Sequence, residues 1–149
     1  MADRRSALVA AAFDAAPSEC AVLAPDGRIL AVNRAWLRFG TQNGAGSGCG
    51  VGANYRRVTE RSAAAGDDVA AVVVSALVAV LEGHAPRARL DYPCHSPTEQ
   101  RWFRLRLEPL RGRPELLVVH DDITEHLREV LRPEGRAPDN DRTAPRADR

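Results

Sequence analysis

Two stretches of strict alternation dominate the C-terminal half of the chain. From Arg87 to Cys94, residues Ala88, Leu90, Tyr92 and Cys94 fall on one side, and Arg89 and Asp91 on the other. From Gln100 to Pro109, Phe103, Leu105 and Leu107 face one way, and Trp102, Arg104, Arg106 and Glu108 the other. A period of two is the signature of antiparallel strands with one face in a core. The apolar run Glu115–His120 predicts a further strand after an Arg-Gly-Arg-Pro turn. Nearer the N-terminus, Cys20–Ala24 and Arg28–Val32 flank Pro-Asp-Gly, a hairpin signal, because proline presets φ and glycine accepts positive φ.

The remaining periodicities are helical. Leu8, Ala12 and Phe13 are spaced for an amphipathic helix over Arg4–Ala16, ended by Pro17. Asn33 is a good N-cap for a short helix to Gly40, with Trp36, Leu37 and Phe39 as burial candidates. Asp67 and Asp68 open a longer helix through Glu82, placed where the helix dipole favours acids, with Gly83 as the stop. Asp122 with Glu125 three residues on has capping-box spacing and predicts an exit helix over DITEHLREVL. Between these elements, Thr41–Ala53 holds five glycines and predicts a mobile loop. Its glycines fit neither a P-loop nor a dinucleotide fingerprint, since no Lys-Ser/Thr follows and no strand leads in.

Composition narrows the classes. At 149 residues the chain suits one domain with tails. Its 21 basic residues, all arginine, meet 20 acidic ones, and the net charge of +1 gives no field to gather nucleic acid or an acidic membrane. The longest apolar run, Val69–Leu81, is shorter than the roughly 18 to 20 residues a membrane span needs, and the N-terminus is a poor secretion signal. The expected location is therefore cytoplasmic. Cys20, Cys49 and Cys94 are too few and too scattered for a disulfide framework.

Cys94 and His95 are adjacent in the bend between the two alternating segments, which raises a metal or thiol-enzyme reading that could also draw on Glu99. Structural zinc needs paired ligands at Cys-x2-4-Cys or His-x3-5-His spacing, and Cys20, Cys49 and His120 do not supply it. Neighbours on a strand point to opposite faces, which disfavours a Cys-His catalytic pair. The plainer alternative is a hairpin bend fixed by Pro93 and Pro97, with Cys94 packed as a small hydrophobe.

Three separated segments, APDGRILAVNRAWLRFG, LDYPCHSPTEQRWFRLRLEPL and LLVVHDDITEHLREV, resemble the PAS domain family of bacterial sensory modules. The likeness is greatest to PAS domains with a Tyr-Pro-Cys-His-Ser-Pro turn before Arg-Trp-Phe, and it covers about residues 15–131. It implies an α+β fold: a five-stranded antiparallel sheet in the order 2-1-5-4-3, with helices on one face around a small cavity. Residues 1–16 would form the N-terminal helix, 17–121 the PAS core, 122–132 the exit signalling helix and 133–149 a disordered tail.

The resemblance offers Trp36, Phe39, Tyr55, Leu90, Tyr92, Phe103 and Leu105 as candidates to line the cavity. Phe13, Trp102, Arg104 and Arg106 are interface candidates, because the outer sheet face of such domains is often covered by the N-terminal helix or a second subunit. Asp122, Ile123 and Thr124 match the motif at which the last strand passes to the signalling helix. Haem is disfavoured because Val69–Leu81 holds no histidine, and His84 lies beyond that helix. A flavin photoreceptor would need an Asn-Cys-Arg-Phe type helix, which is not in the chain, and His120 reads as a hydrogen-bonded structural residue.

The resulting expectation is a non-catalytic sensory or regulatory module. It would bind a small ligand, dimerise, or both, and act in trans on a kinase, cyclase or other regulator, without nucleic acid or membrane. The alternatives are a scaffold with a collapsed core, and a small metal-binding protein or enzyme built on Cys94 and His95.

Overall fold

The chain is described by a computed structural model over residues 3–42 and 49–133, with the backbone alone at 41 and 42. The predicted tail from 134 onward and residues 43–48 of the glycine-rich segment lie outside the described residues.

Helix α1 (Arg4–Ala15) leads into a hairpin, β1 (Glu19–Leu23) and β2 (Ile29–Val32). Three helices follow: α2 (Arg34–Gln42), α3 (Tyr55–Ala64) and α4 (Asp68–Leu81). The chain then runs through β3 (Ala88–Pro93), β4 (Trp102–Pro109) and β5 (Leu116–Asp122) to α5 (Thr124–Val130). The strands make one antiparallel sheet in the order β2-β1-β5-β4-β3, so the first and last strands pair at its centre. This is the α+β architecture that the family resemblance implied.

The hairpin turn forms as its residues dictate. The Gly27 amide donates to Ala24 O, the Arg28 amide donates to the Asp26 carboxylate, and Gly27 adopts φ +90°. Gly27 is also a contact point, because its carbonyl accepts the Tyr55 amide and so anchors the start of α3.

Asn33 is fully buried between strand and helix. Its Oδ1 accepts from the Trp36 amide at 3.0 Å as the N-cap of α2, and from the Cys20 amide at 3.0 Å. Its Nδ2 faces the carbonyls of Ser18, Phe13 and Ala16 at 2.8, 3.1 and 3.4 Å. One side chain thus ties α1, β1 and α2 together.

The core lies between the inner sheet face and α2 and α4. Ala21, Leu23, Leu105, Leu107, Leu116 and Val118 meet Trp36, Val73, Leu77 and Val80 there. Each large side chain buried in this way contributes about 1.5–3 kcal/mol. The long helix begins on an Asp67 cap that accepts the Ala70 amide, and it ends where Gly83 takes φ +77°.

Several expectations are corrected. Helix α2 runs past Gly40 to Gln42, so that glycine does not stop it. Helix α3 carries little apolar pattern and was not foreseen; only Thr59 is buried on it, and Asn54 caps it by accepting the Arg57 amide. The capping box at Asp122 does not form, because Asp122 is still the last residue of β5, and its carboxylate accepts the Thr124 amide in a two-residue turn. The apolar spacing of Leu8, Ala12 and Phe13 does not bury α1: Leu8 is 69% exposed, and the helix buries no residue and leaves a groove of about 570 Å3 against the sheet. Cys94 and His95 sit in the β3–β4 bend: the Cys94 amide donates to Arg101 O, and His95 Nδ1 accepts the Arg101 amide.

Candidate functional site

The sheet brings two polar side chains to one place on its inner face. Glu19 at the start of β1 is the direct cross-strand partner of His120 near the end of β5. Alternation along each strand turns both toward the helices. Above them, Trp36 and Phe39 come from α2 and Tyr55 from the first residue of α3. With Gly40 and Cys49, these residues enclose a cavity of about 150 Å3.

Trp36 holds the far wall. Its Nε1–H donates to Cys49 O at 2.8 Å, and its ring lies 5.8 Å from that of Tyr55 and 5.6 Å from that of His120. The histidine is held from two sides, by Tyr92 Oη at 2.6 Å from Nδ1 and by Tyr55 Oη at 3.3 Å from Nε2. A neutral imidazole has one donor and one acceptor nitrogen. The shorter contact is therefore assigned to the Tyr92 hydroxyl donating to Nδ1, and Nε2–H donates to Tyr55. Burial drives the His120 pKa down to about 4, with Asp121 opposing, so the ring is neutral at physiological pH. Burial pushes both tyrosine hydroxyls well above their usual range.

Glu19 behaves in the opposite sense to a surface acid. Desolvation, followed by the charge of Asp122 and then Asp121, lifts its pKa to about 8, and Arg101 only partly offsets them. Among the described residues, none hydrogen-bonds its carboxyl. Burial also raises the pKa of the Cys49 and Cys20 thiols, the reverse of what an activated nucleophile needs.

Of the expected cavity residues, Trp36, Phe39 and Tyr55 line this space. The other four do not. Tyr92 acts from behind His120; Phe103 packs between Phe39 at 5.4 Å and Tyr92 at 6.0 Å; Leu105 is in the core, and Leu90 packs against it. Glu19 and His120 were not among the candidates, and the pairing of β1 with β5 is what makes them neighbours.

The interface candidates have definite partners. Arg104 forms a two-pronged ion pair with Asp91 at 2.8 and 2.9 Å, and Arg106 reaches Asp121 at 3.1 Å. Phe13 faces the groove beneath α1, and Trp102 is 38% exposed beside Leu127 and Leu131 in a second groove along α5. Asp122, Ile123 and Thr124 form the joint to α5. Thr124 Oγ1 accepts the Trp102 amide at 2.9 Å, and the Ile123 amide donates to Trp102 O at 2.9 Å. Asp121, one residue short of that joint, is also hydrogen-bonded by Ser18 Oγ, next to Glu19. No helix of the described residues is long and apolar enough to cross a membrane, and no group of three or more His, Cys, Asp or Glu among them could hold a metal ion.

A family model described as PAS fold matches residues 13–128. A Rhodobacter capsulatus protein, described as an uncharacterized 104.1 kDa protein in the hypE 3′ region, is 37% identical over 125 residues. That match covers 81% of this chain and 13% of the relative, so the chain spans a small part of that protein's length. Among solved structures, the PAS domain of Bordetella pertussis BvgS is similar at a TM-score of 0.56 and 17% identity, over 86% of this chain and 95% of that one. The photoactive yellow protein domain of the sensor histidine kinase Ppr from Rhodospirillum centenum is similar at 0.53 and 18%, over 75% and 91%. At such identities the two structures speak for the fold alone.

Proposed function

The chain belongs to the PAS fold family, whose domains are typically sensory and signalling modules, and from that premise we propose that it is a non-catalytic sensor whose aromatic cavity takes a small ligand. The observation that carries this reading is the position of Glu19 and His120. Both face the cavity, and both lie within three residues of a joint, at Ser18 on one side and Asp122–Thr124 on the other. A ligand touching Glu19 therefore acts on the strand pair that hands over to α5.

For such a ligand to signal, its affinity must differ between two arrangements of that joint. The output passes through α1 and α5 to a partner protein or to a further segment of a longer chain. The outer sheet face supports a homodimer: Leu8 and Val9 of α1 and Trp102 of β4 leave apolar surface exposed on that side. A tryptophan exposed in the single chain becomes a common interface anchor once a partner buries it.

Native mass spectrometry of the protein purified from its own host tests both parts at once. The expected result is a dimer that carries a discrete extra mass, released on denaturation. A monomer with no added mass would sink the proposal in both respects.

A further inference from the structure

Resting on the reading of the cavity as a ligand site, we propose that its ligand is a small, uncharged, planar ring that presents a hydrogen-bond donor and acceptor side by side, as a lactam edge does, to the Glu19 carboxyl. Four observations lead there.

The first is size. A cavity of about 150 Å3 is of the order that admits one benzene-sized ring, a group of roughly six to ten heavy atoms. The second is the character of the walls. Trp36, Phe39, Tyr55 and His120 all contribute rings, and rings pack best against other rings in offset or edge-on contact.

The third is the supply of polar atoms. The Trp36 N–H is taken by Cys49 O, and both nitrogens of His120 are taken by tyrosines. The Glu19 carboxyl remains, together with the Tyr55 hydroxyl, whose own proton is left to donate once it accepts from Nε2–H; the carboxyl lines the cavity, and no described residue hydrogen-bonds it. Its oxygens are not sealed from solvent, so a bound ligand would exchange water for its own hydrogen bonds there.

The fourth is charge. Glu19 is faced from β5 by Asp121 and Asp122, from the segment before β4 by Arg101, and from α2 by Arg38, which shares a shallow depression with it. His120, Tyr55 and Tyr92 face it as neutral groups, and so does the Cys49 thiol across the cavity. Asp121 is already paired with Arg106. An anion would meet the aspartates and a cation the arginines, and an uncharged ligand escapes both.

The environment that raises the Glu19 pKa to about 8 keeps the acid protonated at neutral pH. A protonated carboxyl offers one donor and one acceptor on the same edge. A lactam matches it with two parallel hydrogen bonds, and neither partner bears a charge that must be desolvated.

The test uses the full chain with 2-pyridone, N-methyl-2-pyridone, picolinate and toluene as probes, titrated by calorimetry. The expected result is that 2-pyridone binds at least tenfold more tightly than its N-methyl analogue, and that picolinate does not bind. Affinity for 2-pyridone should fall about tenfold from pH 7 to pH 9, because the protonated fraction of an acid with a pKa near 8 falls by that factor. Glu19→Gln keeps a donor and an acceptor without a titrating proton, so its affinity for 2-pyridone should be the same at pH 7 and pH 9. Equal binding of 2-pyridone, its N-methyl analogue and toluene, or an affinity unaffected by pH, would overturn the ligand class and leave the cavity as a binding site. If no probe binds, toluene included, the reading of the cavity itself falls with it.

Discussion

Replacing Asn33 by alanine should cost far more than an ordinary helix cap. The substitution removes the acceptor for two buried amides, those of Cys20 and Trp36, and the donor shared among the carbonyls of Ser18, Phe13 and Ala16. Loss of an N-cap alone costs about 1 kcal/mol. An orphaned buried amide costs about 1–3 kcal/mol, and Asn33 is fully enclosed, so water does not take its place without rearrangement. Together these losses come to about 3–5 kcal/mol, a large share of the roughly 5–15 kcal/mol that stabilises a domain. Urea denaturation followed by the fluorescence of Trp36 and Trp102 measures it; at a slope of about 1.5 kcal/mol per molar, the midpoint falls by about 2–3 M. Asn33→Ser separates the two parts, since serine can still cap α2 but is too short to reach the Cys20 amide, and it should recover about 1 kcal/mol. An alanine variant that loses less than about 1 kcal/mol would refute the claim that Asn33 ties three elements together, and leave it as a cap alone.

Other perturbations test separate parts of the same frame. Gly27→Ala puts a Cβ 2.6 Å from Arg56 Cβ and 3.0 Å from Asn54 Oδ1 at a φ of +90°, so it should destabilise by about 2–4 kcal/mol in the same urea assay; a loss under about 0.5 kcal/mol would show that the turn and α3 are not in contact there. Glu19, with its pKa raised from 4.5 to about 8, binds a proton in the folded state that the unfolded chain has lost, so stability should decline as pH rises through that window, and Glu19→Gln should flatten the decline. His120, lowered from 6.5 to about 4, has the opposite sign: stability should fall as pH drops below 6.5, and His120→Phe should remove that acid limb in a pH series of thermal melts. Thr124→Val keeps shape but removes the acceptor of the Trp102 amide, and hydrogen exchange should speed up about tenfold in α5 while α4 amides are unchanged; equal acceleration in both helices would mean that the joint is not local.

What could be read from the chain, and what could not, divides along sequence separation. The Pro-Asp-Gly hairpin, the Asn33 cap and the alternation of β4 are decided by neighbours a few residues apart, and each was legible. Helix α3 was not, because YRRVTERSAA buries little and shows no apolar stripe; its one local sign is Asn54 capping Arg57. The aromatic wall was legible as large side chains on short elements, yet spacing does not say which of them stop in the core, and Leu105 and Phe103 did. The polar half of the site was least visible of all. Glu19 and His120 meet only because β1 pairs with β5 across nearly the whole domain, a contact that no local pattern encodes. That dependence has a physical consequence. A slip of one residue between those strands would turn Cys20 toward the cavity and Glu19 toward the outer face, since side-chain direction alternates at every position. The register is pinned by Ala21, Leu23, Leu116 and Val118 on the buried face, and at the slipping end by Asn33 holding the Cys20 amide. The site is therefore only as well placed as that central strand pair, and the residues that fix it are the apolar core and a buried amide rather than the groups that would touch a ligand.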